Sequence, residues 1–240
     1  MACERVLPGE TPEHIVAEHL ARYRAASSRS LGSPVLDVAC GTGYGTTILA
    51  ETGNRSIVGV DLSLEALLTA RTRYAHSRVN YVRSRAESLP FESGAFGSVV
   101  CFETLEHLTD PPALLREVAR VLTDRGTFIV STPNRKVASP WWPLTGRPAN
   151  PHHAHEYRLA ELEQELAEWF EIQELWGQRF VSRLWLRLPV YAIARASAKL
   201  LRSAWAHRLY DEADGPTPTR LSDTPGEPRY FLAVCRLRQR

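Results

Sequence analysis

The segment Val35–Gly45, VLDVACGTGYG, constrains the fold of this chain more than any other. Val35, Leu36 and Val38 read as a short strand buried on both faces, the pattern of a parallel sheet. The strand carries Asp37 and opens into a turn made almost wholly of small residues. Gly41, Gly43 and Gly45 would let a ligand approach the backbone where a Cβ would collide. A helix over about 43–51 follows, so that ligand would face a helix N-terminus. Strand, glycine turn and helix together predict a nucleotide-type cofactor site.

Spacing selects the cofactor. A dinucleotide site asks for G-x-G-x-x-G, with a pyrophosphate on the helix N-terminus. Here the glycines run G-x-G-x-G, preceded by Ala39 and Asp37. Asp-x-Ala-x-Gly-x-Gly resembles motif I of the class I S-adenosylmethionine (SAM) methyltransferases, with Ala39 at the family's usual first glycine. The resemblance implies cofactor contacts from Asp37, Ala39, Gly41 and Gly43. A second apolar run, Ile57–Val60, ends at Asp61 with Leu62 beside it, 24 residues after Asp37. A carboxylate at the end of the second strand can accept both ribose hydroxyls. Ser63 is the better helix cap, ahead of a helix over 63–74. The string Arg85-Ala86-Glu87-Ser88-Leu89-Pro90-Phe91, after a third strand at 79–82, is similar to the family's adenine loop. Ala86 would offer its N–H there, and Glu87 could compensate for Arg85, which stands where the family commonly has aspartate. Phe102, closing a fourth strand, completes the expected cofactor set.

The chain has 240 residues, 44% of them apolar, which is enough for one α/β core with insertions. Strands at about 35–38, 57–60, 79–82, 98–102, 127–131, 171–176 and 230–235 alternate with helices at about 43–51, 63–74, 111–122 and 159–168. That alternation predicts a Rossmann-like α/β architecture, a seven-stranded, mostly parallel sheet with helices on both faces. Residues 1–240 read as one methyltransferase domain. Residues 1–33 form a helical cap over the cofactor, with Ile15, Val16, Leu20 and Tyr23 on the apolar face of a helix at 12–26. Residues 136–158 form an acceptor-side loop, and 182–228 a helical insertion and loop before the last strand. Asp214–Arg229 holds four prolines and reads as loop.

The chemistry centres on Glu103-Thr-Leu-Glu106-His107. Positions i, i+3 and i+4 share a face if the segment forms a helical turn, and the segment follows a strand at the ligand-binding edge of such a sheet. Glu-x-x-Glu-His is similar to the metal-binding segment of the small-RNA 2′-O-methyltransferases and of the ubiquinone-pathway O-methyltransferases. Three of the eight histidines fall in Pro151-His152-His153-Ala154-His155-Glu156-Tyr157, downstream of Ser131-Thr-Pro-Asn134. In the small-RNA enzymes a similar string precedes a His-x-His-x-aromatic segment that supplies the last ligand. The resemblance therefore implies a metal set of Glu103, Glu106, His107 and one of His153 or His155. The blander reading of the second segment is a solvated polar loop.

A metal has a chemical reason. A sugar or ribose hydroxyl is a poor nucleophile near neutral pH, and a divalent ion can lower the pKa of a bound oxygen from about 16 toward 7. Mixed carboxylate and imidazole ligation does not fix the ion; the resemblance implies magnesium, with manganese next. Without a metal, His107, His153 or His155 would act as general base, with Glu106 beside it. Trp141 and Trp142 could stack on a sugar or serve as lid packing. The layout also looks like that of actinobacterial enzymes linked to methylated polysaccharides, so the expected acceptor is a saccharide hydroxyl. An aminosugar nitrogen or a quinol is the alternative.

A net charge of +2 and the lack of a basic stripe interleaved with aromatics argue against nucleic acid as partner. Residues 182–210 alternate arginines with leucines and aromatics. They could form a helix pair over the acceptor pocket, a dimer contact or a peripheral membrane contact, the last not favoured; a monomer or homodimer is expected. Four cysteines without paired spacing, and no apolar leader or spanning segment, predict reduced thiols in a cytoplasmic protein. Two other classes stay open: a SAM-binding protein without transfer, and an NAD oxidoreductase, which the glycine spacing disfavours.

Overall fold

The computed structural model describes residues 5–29, 31–53, 55–140, 142–182, 186 and 215–238. The elements in chain order are α1 (Glu13–Ser27), β1 (Val35–Val38), α2 (Tyr44–Glu51), β2 (Ile57–Asp61), α3 (Leu64–Arg73), β3 (Val79–Arg83) and β4 (Phe96–Phe102). After a 3-10 turn at Leu105–His107 come α4 (Pro111–Val121), β5 (Leu122–Pro133), α5 (Arg135–Ala138), α6 (Trp142–Thr145), α7 (Leu159–Ala167), β6 (Phe170–Val181), β7 (Thr219–Arg220) and β8 (Glu227–Leu237). The sheet order is β3-β2-β1-β4-β5-β8-β6-β7. Strands β1 to β5 are mutually parallel, and β8 runs antiparallel between β5 and β6. This is the expected doubly covered sheet with one more strand. The addition, β7, pairs only Thr219 and Arg220 with Gly177 and Trp176, inside the stretch read as loop. The expected helical pair over 182–210 falls on residues outside those described.

Side-chain alternation along the strands divides the core. Leu36, Val38, Val99, Cys101, Phe128 and Val130 face α4 and α7, where Leu114, Val118, Leu162 and Leu166 are buried. Val35, Val100, Phe102 and Ile129 face the other way, against Tyr23 and Ala26 of α1 and Leu49 and Ala50 of α2. Local chemistry sets the helix starts. Ser63 caps α3 by accepting from the Ala66 N–H, and Asp110 caps α4 by accepting from Ala113 ahead of two prolines in the first turn. Cys40, Cys101 and Cys235 are buried free thiols. Among the described residues no helix is long and apolar enough to cross a membrane.

Helix α1 departs from its expected amphipathic pattern. Its buried residues are Glu18, Arg22, Tyr23, Ala26 and Ser27, whereas Ile15, Val16 and Leu20 are only partly buried. The reason is polar. Glu18 Oε1 accepts from Arg179 Nε at 2.7 Å, the Glu18 carbonyl accepts from Gln178 Nε2 at 2.9 Å, and Arg22 Nη1 donates to Gln178 Oε1 at 2.5 Å. The Arg22 guanidinium also lies 4.6 Å from the Tyr230 ring centroid. A buried charge network, not an apolar stripe, holds this helix on β6 and β8.

Asp37 is fully buried on the α1/α2 face and ties both helices to β1. Its carboxylate accepts from the Thr46 hydroxyl at 2.6 Å and the Tyr23 hydroxyl at 3.2 Å. Burial outweighs those two donors and lifts its pKa from 3.8 to about 7. The native pKa exceeds the unfolded one, so between about pH 4 and pH 7 the native state holds a proton that the unfolded state has released. The Asp37 contribution to stability should fall across that window by up to about 4 kcal/mol. Urea denaturation from pH 4.5 to 8 checks this: Asp37→Asn should flatten the slope, and an unchanged slope would discount the carboxylate.

Candidate active site

Parallel strands that start together also end together, and here the ends of β1 to β5 face one cavity of about 890 Å³. On one side it is walled by Ala39 and Gly41 of the glycine turn, Asp61 and Leu62 after β2, and Ala86 and Glu87 after β3. On the other side stand Glu106, His107, His153 and Glu156. Phe102 and Glu103 lie on the wall between, and His14, His19 and Tyr23 of α1 form the roof. Seven of the nine residues expected to meet a cofactor therefore line one cavity. Asp37 and Gly43 do not: Asp37 is the buried tie beneath the turn.

The glycines divide their work differently from the expectation. A Cβ on Gly45 would lie 2.1 Å from the Tyr23 ring, and one on Gly43 would lie 2.5 Å from the Tyr81 hydroxyl. Aromatic rings pack on both positions, and Gly43 in addition takes φ +82°, so Gly45 is the one fixed by packing alone. At Gly41 nothing lies within 4 Å of a Cβ, but φ is +57°, so its need is conformational and its face stays open to a ligand. Asp61 holds this turn in place: one oxygen accepts the Gly41 N–H at 2.9 Å and the other the Ser63 N–H at 2.8 Å. In the loop similar to the adenine loop, Arg85 pairs with Glu87 at 3.0 Å.

The Glu/His set assembles in part. Donor atoms of Glu106, His107 and His153 lie within 4.8 Å of one another. Glu103 stands outside this trio. It takes φ +51° at the end of β4, and Oε1 accepts from the Ser131 hydroxyl at 2.7 Å. The segment was expected to put Glu103, Glu106 and His107 on one helical face. The turn spans only Leu105–His107, and the left-handed residue before it turns Glu103 aside. His155 is also separate. Its ring packs edge-on against Trp142 and Tyr157, its Nε2 lies 3.9 Å from Glu161, and burial followed by Arg135 lowers its pKa. The segment is a turn and bend rather than a strand, and the bonds of Ala154 and His155 N–H to the Glu106 carbonyl reverse it there, so His153 lines the cavity and His155 does not. Trp142 lies under the Arg135 guanidinium and not on the cavity wall; Trp141 is outside the described residues.

Backbone bonds sew the two segments together. The Glu106 carbonyl accepts from Ala154 at 2.7 Å and His155 at 3.1 Å. His107 Nδ1 lies 3.0 Å from the His152 carbonyl, which can only accept, so that nitrogen carries the proton. His153 Nδ1 lies 2.8 Å from Glu156 Oε1, and its Nε2 lies 2.9 Å from Asn150 Nδ2. Glu106 is fully buried; Oε2 accepts from Thr132 at 3.0 Å, and Oε1 has no partner. Burial, then the Glu103 charge, hold its pKa well above the carboxylate range, opposed by its own backbone, Thr132 and Arg22. Sequence reasoning placed α1 over the cofactor, and Ile15 and Tyr23 do line the cavity, but it missed Glu156, Thr132, His14 and His19. Only Glu156 carried a local signal, standing three residues after His153.

Comparison with known proteins places this geometry. A family model described as a methyltransferase domain matches residues 36–130. A ubiquinone biosynthesis O-methyltransferase of Xanthomonas campestris is 33% identical over 173 residues, covering 69% of this chain and 72% of that protein. The chain belongs to the class I SAM-dependent methyltransferases. A Mycolicibacterium smegmatis protein named a probable SAM-dependent methyltransferase is 35% identical over 178 residues, covering 72% of this chain and 66% of that one. A Mycobacterium tuberculosis protein of the same description is 35% identical over 162 residues, covering 66% and 56%. This methyltransferase thus spans roughly three-fifths of the length of these mycobacterial relatives. Its fold is shared with a Mesorhizobium loti SAM-dependent methyltransferase (TM-score 0.58, 19% identity, 89% of this chain and 95% of that one). It is shared too with the [4+2]-cyclase SpnF (TM-score 0.61, 24% identity, 98% and 85%).

The two kinds of glycine in this methyltransferase separate by mutation. Gly45→Ala should lose about 1–3 kcal/mol of stability without ligand, because Tyr23 must move. Gly41→Ala should cost only about 1 kcal/mol in backbone conformation and fall mainly on SAM affinity. Urea denaturation paired with calorimetric SAM titration decides; a Gly45→Ala variant as stable as wild type would contradict the Tyr23 contact.

Proposed function

We propose that this methyltransferase transfers the SAM methyl group to a hydroxyl of a saccharide, assisted by a divalent ion, magnesium first and manganese next. The observation that carries the reading is the pairing of Glu106, His107 and His153, whose Nδ1 atoms, in both histidines, are committed to acceptors. That arrangement makes Nε2 the lone-pair nitrogen of both rings, as metal-ligating imidazoles require, and on His153 an ion would take the place of the Asn150 amide. The unpartnered, buried Glu106 Oε1 suits the same role, since a buried carboxylate without a cation is costly.

The SAM fit rests on the opposite wall. Asp61 at the end of β2 suits the ribose hydroxyls, and Gly41 leaves its face open. Leu62, Ala86, Glu87 and Phe102 would surround the adenine and ribose. Arg22 is fully buried against Gln178 and the Tyr230 ring and does not line the cavity, so it would favour the methionine carboxylate only through its charge. When bound, SAM supplies a sulfonium methyl that is electrophilic without further activation. A divalent ion supplies a lower pKa for the acceptor hydroxyl. The chain's own work is positional. Glu106, His107 and His153 fix the acceptor oxygen, the glycine turn fixes the sulfonium, and α1 excludes water from the line between them. The new C–O bond forms as the C–S bond breaks, SAM leaves as the neutral thioether S-adenosylhomocysteine, and the hydroxyl proton passes to water.

Polar side chains such as His14, Glu103 and Arg229 also line the cavity, as a polyhydroxylated acceptor would require. Neighbouring hydroxyls could both reach the ion, and a quinol meets the same demand. A second reading follows from the His153–Glu156 pair: a metal-free enzyme in which His153 is the general base, acting on an aminosugar nitrogen or a quinol.

Transfer of labelled methyl from SAM to mono- and oligosaccharides, quinols and aminosugars, with EDTA or with added magnesium or manganese, tests both. The metal reading expects activity on a saccharide that EDTA abolishes and metal restores; activity indifferent to EDTA supports His153 as base. Glu106→Gln and His107→Ala should each lower transfer by at least about a hundredfold, with SAM affinity within about twofold of wild type. Loss of SAM binding in either variant would make the turn structural.

A further inference from the structure

Glu156 belongs to neither the glycine turn nor the Glu-x-x-Glu-His segment, yet it lines the cavity with only 1% of its surface exposed. Oε1 lies 2.8 Å from His153 Nδ1, and the buried Oε2 has no partner. A carboxylate kept from water at that depth costs several kcal/mol unless something uses its charge. Among the described residues the group it serves is His153.

We propose that Glu156 is a positioning residue that fixes the tautomer and orientation of His153. A carboxylate at 2.8 Å accepts the Nδ1 proton and leaves Nε2 as the lone-pair nitrogen. Asn150 completes the grip: its Nδ2 lies 2.9 Å from His153 Nε2, where it donates to that lone pair and marks its direction. The backbone restricts the ring as well. The His153 N–H bonds the Asn150 carbonyl, and the next two N–H groups bond the Glu106 carbonyl. Glu156 stands three residues after His153, across the same tight stretch, so the pair forms locally while the stitches to Glu106 set its place in the cavity. His107 is prepared in the same way by a different acceptor, the His152 carbonyl. The two imidazoles, 4.9 Å apart between ring centroids, thus present the same nitrogen. A charged acceptor holds the Nδ1 proton of His153 more firmly than the carbonyl holds that of His107.

This inference rests on the metal reading for its consequence, but not for its geometry, and the test separates the two. Glu156→Met removes the acceptor at similar reach, and Glu156→Gln restores a neutral acceptor. Three quantities are read on the full chain: Mn²⁺ affinity from the paramagnetic resonance of the free ion, SAM affinity by calorimetry, and the His153 tautomer by long-range proton–nitrogen correlation. The His153 signal is assigned by its disappearance in His153→Ala. The Met variant should bind Mn²⁺ about 10–100-fold more weakly, keep its SAM affinity and gain the Nε2–H tautomer of His153. The Gln variant should recover the tautomer and part of the affinity. A folded Met variant with wild-type Mn²⁺ affinity and the Nδ1–H signal intact overturns the proposal. If that variant does not fold, wild-type Mn²⁺ affinity in Glu156→Gln overturns it instead. A wild-type protein that binds no Mn²⁺ defeats the metal reading alone, and the tautomer signal then decides the role of Glu156.

Discussion

Everything at the site depends on strands β1 to β5 running the same way. Strands in parallel leave their last residues on one edge, and the turns that follow must gather there. The glycine turn after β1, Asp61 after β2, the 85–87 loop after β3 and Glu103 to His107 after β4 were brought together by that rule alone. The order β2-β1-β4-β5 places the switch of direction between β1 and β4. Loops there part to opposite faces and leave a crevice, so the cavity lies between the glycine turn on one flank and the Glu/His turn on the other.

The cavity wall and the elements behind it carry charges that burial makes expensive. Glu18, Arg22, Asp37, Glu106 and Glu156 are all withdrawn from water, and each is balanced in a different way. Asp37 is held by two hydroxyls, yet burial outweighs them and makes it take up a proton more readily. Glu18 meets Arg179, and Arg22 meets a glutamine and an aromatic face. Glu106 and Glu156 each keep one oxygen without a partner. Low local dielectric strengthens every one of these interactions and penalises every unpaired group. The polar groups thus specify how α1, β6 and the 150–157 segment dock, which apolar contacts alone would leave less defined.

The fold does not carry the chemistry by itself. A methyltransferase and a cyclase share it, so the reaction must be sought in side chains grafted on the sheet edge. On the function proposed, those are Glu106, His107 and His153, supported by Thr132, His152, Asn150 and Glu156. On the same proposal the glycine turn and Asp61 support the cofactor and the opposite wall selects the acceptor.

Local sequence patterns decided the element order, the helix caps and most of the cofactor wall. Each of those follows from short-range physics: strand alternation, turn residues and capping side chains. The Glu/His segment and the histidine cluster could be recognised too, but not how they would combine. His153 and His155 are equivalent in the sequence, and only the stitching of the 150–157 backbone onto Glu106 sends one inward and the other against Trp142. Glu103 matched the motif, and the left-handed backbone at the end of β4 turned it toward Ser131. The burial of Glu18 and Arg22 contradicts the apparent amphipathicity of α1, because their partners lie some 156 to 161 residues away on β6. Short-range chemistry therefore determined which residues were available. Long-range contacts, which no window of sequence contains, decided which of them meet.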